Sequence, residues 1–370
     1  LNQKGNRGEY TALVRGFDSR QVPVFIDGIP VYVPYDGNVD LGRFMTGNLA
    51  EIRVTKGLSS VIYGPNALGG TINLVSRRPL SEFEASGAVG TRFDSDGDRT
   101  VSHGRINLGS NQGSWYTQAG VSYRDRDHFR VADDFDAVDG ERENSDLEDR
   151  SASLKLAYTP NATDEYALAY YNQQAEKGQP PYVGEDPIFK VRHWRWPEWD
   201  KEGIYFISHT ALGETGYVES RLYHDKFDNT LIGYKDDTYT DYRWRSVYDD
   251  HTTGASLEGG WQAGRHAIRL ASHYKRDYHE EIDPDAPADP HPEYEDETVS
   301  VAAEDTVTFT ERLKVTFGAS VDRQDTVTAK DFDNATFGEL ETGADEAANL
   351  QAQLHYALDP NHDLFAEAGH

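Results

Sequence analysis

Most of the sequence alternates apolar and polar residues with a period of two, and this pattern limits the folds open to it more than any other feature. Leu154, Leu156 and Tyr158, for example, are separated by Lys155 and Ala157. Successive side chains of a β-strand point to opposite faces, so the alternation predicts strands with one apolar and one polar face. The same period recurs in four further segments: 268–274, 299–309, 313–321 and 350–358.

The connections between these runs alternate in length. Short turns are predicted near residues 111–113, 160–162, 213–216, 263–265, 311–312 and 360–361. Long polar loops are predicted between them, near 127–147, 177–200, 228–245, 276–297 and 324–346. Outer-membrane barrels have short turns at one end and long loops at the other, whereas soluble sandwiches have no reason for this strict alternation. We therefore favour a transmembrane antiparallel β-barrel over a soluble β-fold.

The composition excludes several classes of function. The chain has 36 Lys and Arg against 64 Asp and Glu, a net charge of −28, so it lacks the basic excess that nucleic-acid binding requires. It has no cysteine, which excludes disulfide scaffolds, thiolate zinc sites and cysteine nucleophiles. No run reaches the ~18 consecutive apolar residues of a membrane-spanning helix. A barrel stays compatible with all of this, because its strands are only half apolar.

The first 79 residues differ from the rest in charge and texture. They contain nine Lys and Arg against six Asp and Glu, so they carry +3 and the remainder carries −31. They consist of short β-branched runs separated by glycine, and Asp27-Gly28 between two such runs predicts a hairpin turn. The segment from Asp40 to Leu49 predicts one short helix with Asp40 as its N-cap. We place a domain boundary at the end of this part, which gives domains 1–79 and 80–370.

The second domain contains about thirteen predicted strands, by the period-two criterion. An open edge of such a sheet in lipid would leave backbone N–H and C=O groups unpaired. Barrels of 22 strands are the ones with plugged lumens. We therefore expect the sequence to be a fragment of a longer chain.

Four motifs occur in order within the first domain. They are Val14-Arg15-Gly16-Phe17, Val24–Val31, Ile52–Gly57 and Ser60–Pro79. Together they resemble the plug domain of TonB-dependent outer-membrane receptors. The resemblance implies an all-β-dominated chain: part of a 22-stranded transmembrane antiparallel β-barrel, with a small α+β plug domain in its lumen. It also implies that a signal peptide, a TonB box, the first part of the plug and the C-terminal half of the barrel belong to the longer chain.

The resemblance further implies active transport, not enzymatic catalysis. A receptor of this family binds a scarce ligand at the outer mouth of the barrel, in the outer membrane of a Gram-negative bacterium. It imports that ligand with energy supplied by TonB together with ExbB and ExbD. We expect an iron–siderophore complex as cargo, and a monomer embedded in outer-membrane lipid. Cobalamin, haem, other metal chelates and oligosaccharides stay open, as does a secreted carbohydrate-active β-protein with paired carboxylates and stacked tryptophans.

By resemblance, two loops of the plug contact the ligand. The first contains Tyr32, Tyr35, Asp36 and Asn38, and the second contains Tyr63 and Asn66. Tyrosine rings at the floor of a pocket offer stacking area and a hydroxyl group for orientation. The alternative is that Tyr32 and Tyr63 only pack the plug against the barrel.

A third set of ligand candidates lies in the long loop predicted near 177–200. Arg192, Trp194 and Trp196 place a guanidinium group beside indole rings, which suits an anionic, aromatic or sugar-bearing ligand. An aromatic girdle at the membrane interface is the alternative.

Charged residues of the plug have a structural interpretation. In the family, plug cations meet glutamates on the inner barrel wall, and the resemblance matches Arg15, Arg53 and Lys56 to these positions. The +3 plug and the −31 barrel agree with such ion pairs.

Acidic loops offer hard oxygen ligands for Ca²⁺. Asp134, Asp136 and Asp139 lie in one such run, whose spacing is not that of an EF-hand; a solvated acidic loop is the alternative. The segment near 276–297 has the same two interpretations, with His279 and His291 as additional metal ligands. Transport itself requires no cofactor.

Overall fold

The computed structural model describes residues 2–4, 9–57, 59–132, 140–333 and 336–370, and the structural statements below concern these residues. The first part of the chain forms short strands, of which β1 pairs with β2. These strands are β1 (Asn2–Lys4), β2 (Glu9–Thr11), β3 (Val24–Ile26), β4 (Ile29–Val31), β5 (Leu49–Lys56) and β6 (Gly70–Ser76).

The plug is built on a small mixed sheet. Its order is β4-β3-β6-β5, in which β3 and β6 are parallel and the other pairs are antiparallel. Asp27 and Gly28 connect β3 to β4 with φ angles of 50° and 83°. A two-residue hairpin turn requires such positive angles, so the predicted turn is confirmed. The sheet packs on a buried aliphatic core that includes Val22, Val24, Ile72 and Leu74.

The segment predicted as a helix is not α-helical. It forms two 3-10 turns, Leu41–Arg43 and Thr46–Asn48. Asp40 does cap the first turn, since its Oδ1 accepts a hydrogen bond of 2.9 Å from the Gly42 N–H. Gly42 and Gly47 lie inside the segment, and a glycine destabilises a helix interior by about 1 kcal/mol relative to alanine, which accounts for the error. No helix in the described part of the chain is long and apolar enough to span a membrane.

The second domain forms one large sheet, which we call the wall. It is antiparallel throughout, and its strands pair in chain order from β7 at one edge to β20 at the other, with β18 attached to β17 alone. The strands are β7 (Glu84–Phe93), β8 (Arg99–Asn111), β9 (Trp115–Arg126), β10 (Leu147–Tyr158), β11 (Glu165–Gln179), β12 (Trp194–Leu212), β13 (Gly216–Tyr234), β14 (Tyr242–Ala263), β15 (His266–Ile282), β16 (Glu293–Thr308), β17 (Leu313–Asp333), β18 (Thr336–Glu339), β19 (Ala344–Asp359) and β20 (His362–Gly369).

In the wall, the exposed face is apolar and the buried face is polar, which is the reverse of the arrangement in a soluble protein. On β10, Leu154 and Leu156 are 49% and 44% exposed, while Asp149 and Ser151 on the opposite face are 3% and 8% exposed. Apolar side chains outside and polar side chains inside are the arrangement of a transmembrane barrel, in which lipid covers the outer face. The predicted fold class is confirmed.

The ends of the wall differ as predicted, but the loops are shorter than expected. Short turns occupy 112–114, 213–215 and 264–265 at one end, and longer connections occupy 127–146 and 180–193 at the other, which we call the long-loop end. Strands continue into the predicted loops: β12 begins at Trp194, and β15 ends at Ile282. Beyond the lipid zone both faces of a strand are polar, so the period of two disappears although the pairing continues.

The plug lies on the inner face of the wall, and hydrogen bonds connect the two. Asn48 Nδ2 donates to Ser153 Oγ at 3.1 Å, and Asn107 Nδ2 donates to the Gly47 carbonyl oxygen at 3.1 Å. Farther along the sheet, His273 Nε2 lies 2.9 Å from the Ile62 carbonyl oxygen. The polar inner face of the wall is therefore satisfied in part by the plug.

Candidate functional site

The first predicted ligand loop, residues 32–38, lies near the long-loop end, and we call it the mouth loop. It follows β4 directly and turns at Gly37, whose φ is 68°. The Asn38 N–H donates to Asp36 Oδ1 at 2.9 Å, and Ser19 Oγ donates to Asn38 Oδ1 at 3.2 Å. The side chains of Asp36 and Asn38 therefore shape the loop and hold it to the rest of the plug.

Tyr32 joins the mouth loop to the wall. Its hydroxyl donates to Asp277 Oδ1 at 2.6 Å and accepts from Lys275 Nζ at 2.9 Å. Thr252 Oγ1 donates to the same Asp277 oxygen at 2.7 Å. Burial, together with the neighbouring Asp277 carboxylate, raises the pKa of Tyr32 well above its usual value. Tyr32 thus packs the plug against the barrel, as the alternative interpretation proposed.

Tyr35 has the opposite environment and presents its ring to open space. It is 57% exposed. Its ring centroid lies 4.5 Å from that of His279 and 6.3 Å from that of Tyr248, both on the wall. Of the predicted residues in the mouth loop, Tyr35 is the one whose ring is free to stack on a ligand.

His279 and Asp250 form a buried pair beside Tyr35. His279 Nδ1 lies 2.8 Å from Asp250 Oδ1, and the two residues are 3% and 0% exposed. Within the described part of the chain, His279 Nε2 and Asp250 Oδ2 have no hydrogen-bond partner. Buried polar atoms are nearly always paired, so each unpaired one calls for a ligand or water as its partner.

A cavity of about 330 Å³ opens next to this pair, and we call it the mouth pocket. Tyr35 and His279 line it, and Pro292 from the connection after β15 places it at the long-loop end. Tyr294 adds a third ring, and its hydroxyl donates to the Asp331 carboxylate. The remaining carboxylates that line the pocket are Asp277, Glu281 and Asp296.

The second predicted loop lies deeper. Tyr63 is 41% exposed and its ring centroid lies 6.0 Å from that of Phe25, while Asn66 has a φ of 67°. Both residues, with Tyr32, line a cavity of about 1180 Å³ between the plug and the wall. This cavity reaches Asp164 in the short turn after β10, so it connects the level of Tyr32 to the short-turn end.

The tryptophan segment lies elsewhere than predicted. Trp194 and Trp196 belong to strand β12, and of the three candidates only Arg192 precedes the strand, with its guanidinium carbon 4.4 Å from the Trp194 ring centroid. Trp196 is 3% exposed and packs with Trp199 and other buried residues on the inner face. The long loop expected here and the aromatic girdle are both wrong for Trp196, because its side chain points to the plug and away from lipid.

These rings hold cations of the protein itself, in a cluster that we call the anchor: Arg43, Lys177, Trp196, Trp199 and Phe227. The Arg43 guanidinium carbon lies 4.2 Å from the Phe227 ring centroid, and Lys177 Nζ lies 3.9 Å from that of Trp199. Arg43 Nη2 donates to the Trp199 carbonyl oxygen at 2.7 Å. Burial lowers the pKa of Arg43 to about 10. The anchor pins the plug to β11, β12 and β13.

Within the described residues, one of the three plug cations predicted to form ion pairs contacts a carboxylate of the wall. Arg15 Nη1 lies 3.9 Å from Glu367 Oε2 on β20. Arg53 pairs instead with Glu51 of its own strand, and Lys56 has no ion pair with the wall within the described residues. Both lie on β5, whose residues are almost all exposed, so their side chains do not reach the wall.

Ion pairs between plug and wall have both polarities in the described residues: Arg78 Nη1 lies 3.1 Å from Glu165 Oε2, and two wall lysines face plug carboxylates. Lys155 Nζ lies 3.0 Å from Asp27 Oδ2. Lys177 Nζ lies 3.8 Å from Glu9 Oε1 and 4.0 Å from Asp40 Oδ2. Net charges therefore account for only part of these contacts, because inward-facing lysines of the acidic barrel also pair with plug carboxylates.

The predicted calcium ligands Asp134, Asp136 and Asp139 lie outside the described residues. In the described part of the chain, no group of three or more histidine, aspartate or glutamate side chains is arranged to hold a metal ion. His279 and His291, predicted to share one loop, are separated: His279 lies in β15, and His291 in the connection that follows it.

Sequence reasoning missed the wall residues of the mouth pocket. His279 shares its strand face with His273, Lys275 and Asp277, because alternate residues of β15 point to the same side. Extending the period of two past Tyr274 into the polar segment would have placed His279 on the inner face.

Comparison with known proteins agrees with this architecture. Residues 1–71 match the family model described as the TonB-dependent receptor plug domain. The structure is similar to the copper transporter OprC, with a TM-score of 0.79 at 14% identity, over 97% of this chain and 56% of that one. It is also similar to the unliganded ferric citrate transporter FecA, with a TM-score of 0.78 at 16% identity, over 100% of this chain and 57% of that one.

A third similar structure is the siderophore receptor PiuA from Acinetobacter baumannii, with a TM-score of 0.71 at 14% identity, over 99% of this chain and 59% of that one. Identities this low show a shared fold. The chain spans a little more than half the length of each of these proteins.

Proposed function

The chain carries the plug domain and barrel strands of a TonB-dependent outer-membrane receptor, and from this premise we propose that its full-length protein is an active transport receptor for an iron–siderophore complex. The cargo binds at the long-loop end, and TonB, energised with ExbB and ExbD, supplies the work of import.

The position of the mouth pocket is the observation that carries this proposal. The pocket opens at the long-loop end and is bounded on the plug side by Pro34 and Tyr35. The plug lies on the inner face of the wall, directly below it. A ligand bound there contacts the plug before it can pass, which suits a receptor that signals occupancy through its plug.

The names of similar structures support the choice of cargo. FecA is a ferric citrate transporter, PiuA is a siderophore receptor, and two further neighbours are Fiu, a ferric-catecholate import receptor from E. coli, and FyuA, a ferric yersiniabactin uptake receptor from Yersinia pestis. Similarity to OprC, a copper transporter, supports a complex of another metal as the second candidate cargo.

Import requires the hydrogen bonds and ion pairs between plug and wall to be broken. Asp27 accepts from Lys155 Nζ at 3.0 Å and also from Ser76 Oγ at 2.5 Å, so it connects the β3–β4 turn and the end of β6 to β10. The anchor and the Tyr32–Asp277 hydrogen bond hold the same plug at the level of the mouth. Work done by TonB would release these polar contacts, each of which water can replace once the plug moves.

The large cavity offers a route for the cargo. Its volume of about 1180 Å³ already exceeds that of a typical small-molecule pocket, and it extends towards the short-turn end. Displacement of Tyr32 from Asp277 would join it to the mouth pocket, because Asp277 lines both.

Growth under iron limitation tests the proposal. The full-length protein, expressed in a Gram-negative host that lacks its own siderophore receptors, is expected to restore growth on ferric siderophores only when TonB is present. Equal growth with and without TonB, or no growth on any ferric siderophore, would contradict it.

A further inference from the structure

We propose that the mouth pocket is a subsite for an organic cation, an ammonium or guanidinium group carried by the cargo; the inference rests on the proposed function and narrows its substrate class. Most of the pocket's charged groups are carboxylates, and its other walls are aromatic rings. No lysine or arginine from the described residues lines it.

Three of the four carboxylates that line the pocket form no ion pair within the described residues. Glu281 accepts from Ser246 Oγ at 2.6 Å, Asp296 accepts from Thr326 Oγ1 at 2.7 Å, and Asp331 accepts from the Tyr294 hydroxyl. Asp331 also accepts from the Phe332 N–H at 2.6 Å. All of these donors are uncharged, and none of the three acids forms an ion pair with another described residue. Charged donors make hydrogen bonds to carboxylates about twice as strong as neutral ones, so a cation in the pocket is favoured.

The fourth carboxylate differs and marks the inner limit of the subsite. Asp277 is 2.8 Å from Lys275 Nζ and also holds Tyr32 and Thr252. Its acceptors are therefore committed to the contact between plug and wall. Asp296 lies directly opposite it on β16, and Glu281 and Asp331 lie farther towards the long loops.

The buried pair beside the pocket points independently to a ligand. His279 lines the pocket, is 3% exposed, and has no partner for Nε2 within the described residues. Asp250, which bonds His279 Nδ1, does not line the pocket. The buried, unpaired Nε2 indicates that the pocket is completed by a polar group from outside the chain.

The rings suit a cation as well. The Tyr294 ring is nearly parallel to His279 at a centroid distance of 6.1 Å, and Tyr35 lies 4.5 Å from the same imidazole. The faces of tyrosine rings attract ammonium and guanidinium groups, most strongly where water is excluded.

Geometry separates an organic cation from a bare metal ion. In the described residues, no three histidine, aspartate or glutamate side chains are arranged to coordinate one ion. Carboxylates spread around a cavity of about 330 Å³ instead fit hydrogen bonds to a group with several N–H donors. A cavity of this size accepts a side arm of a chelate, and the metal stays outside it.

A matched series of ligands tests the charge preference. The probes are ferric complexes of one linear trihydroxamate whose terminal amine is free, acetylated or succinylated, which gives net charges of +1, 0 and −1 on the same core. Affinities are measured by titration of the full-length protein in detergent. We expect the cationic probe to bind at least tenfold more tightly than the neutral one, and the anionic probe to bind most weakly.

Two variants locate the effect. Asp296→Asn keeps an acceptor for Thr326 but removes one charge, and it should weaken the cationic probe about tenfold and change the neutral probe less than twofold. Glu341→Gln removes the same charge at an exposed position between β18 and β19, away from the pocket, and should change neither. Thermal unfolding of each variant checks that the fold is intact.

The outcomes separate this inference from the proposed function. Equal or tighter binding of the anionic probe, no binding of the cationic probe, or the same loss in Glu341→Gln as in Asp296→Asn would overturn the cation subsite. If anionic ferric siderophores were the only ones to support TonB-dependent growth, the cation subsite would be overturned. The proposed function would still stand. Loss of all growth on ferric siderophores would reject the proposed function, and the titration would still decide the charge preference.

Discussion

The anchor and the mouth pocket use the same chemical groups in opposite ways. In the anchor, cations of the protein, Arg43 and Lys177, lie on the rings of Trp199 and Phe227, and the adjoining cavities measure only about 90 and 30 Å³. In the mouth pocket, rings and carboxylates surround about 330 Å³ without a cation from the described chain. Aromatic rings next to charges therefore do not identify a ligand site; the open volume and the missing partner do.

This difference separates stability from binding. Substitutions in the anchor should loosen the plug, and substitutions at the mouth should weaken ligand binding with the plug still in place.

The largest expected effect is in the anchor. Arg43→Ala removes a buried guanidinium group and leaves the Trp199 carbonyl and the Gln173 side chain without their donor, so we expect a loss of about 3 kcal/mol in the stability of the docked plug. Hydrogen exchange of plug amides in the full-length protein measures it. Arg20→Ala is the matched control, since Arg20 is exposed and bonded to Asp18, and it should leave plug exchange unchanged. Similar exchange in both variants would show that the anchor does not hold the plug.

The next effect is on binding. Tyr35→Ala removes the exposed ring of the mouth loop and should raise the Kd for the cargo about tenfold, which corresponds to about 1.4 kcal/mol. Plug exchange should stay at the wild-type rate. Tyr63→Ala, in the deeper cavity, should raise the Kd less than threefold. A larger effect of Tyr63 than of Tyr35 in the same titration would move the ligand site away from the mouth.

A smaller effect concerns the Tyr32 hydroxyl. Tyr32→Phe removes the hydrogen bond to Asp277 and should destabilise the docked plug by about 1 kcal/mol at pH 7. The pKa of Tyr32 is raised in the folded protein, while in the unfolded chain it is about 10, so the advantage of wild type over the variant is complete below pH 10 and declines at higher pH. Unfolding measured from pH 7 to 11 on both proteins checks the sign. An advantage that grows above pH 10 would contradict it.

The sequence predicted the barrel strands well because lipid imposes a strict rule on them. Leu154 and Leu156 must be apolar and their neighbours must suit the lumen, so the period of two is visible without a structure. The same rule ends where lipid ends. Trp196 lies where the inner face is aromatic, and His279 lies past the apolar stretch of its strand, so neither followed the lipid pattern and both were placed in loops.

The contacts between plug and wall could not be predicted from charge counts. Asp27 meets Lys155 across 128 residues of sequence, and only the packed fold brings them together. Arg53 carries the sign expected of a plug cation, yet within the described residues it pairs with Glu51 of its own strand. Tyr32 and Tyr35 are three residues apart, and the path of the backbone alone decides which is locked and which is exposed.

A reversible disulfide cross-link between plug and wall tests most directly whether import requires the plug to move away from the wall. These 370 residues contain no cysteine, so Asn48→Cys with Ser153→Cys, at positions whose side chains are 3.1 Å apart, introduces a single possible disulfide within them. Uptake of a radiolabelled ferric siderophore is then measured in cells before and after reduction, with each single-cysteine variant as control. We expect the oxidised double variant to bind the cargo normally but to import none, and reduction to restore import. Import at the wild-type rate by the fully oxidised protein would contradict the account.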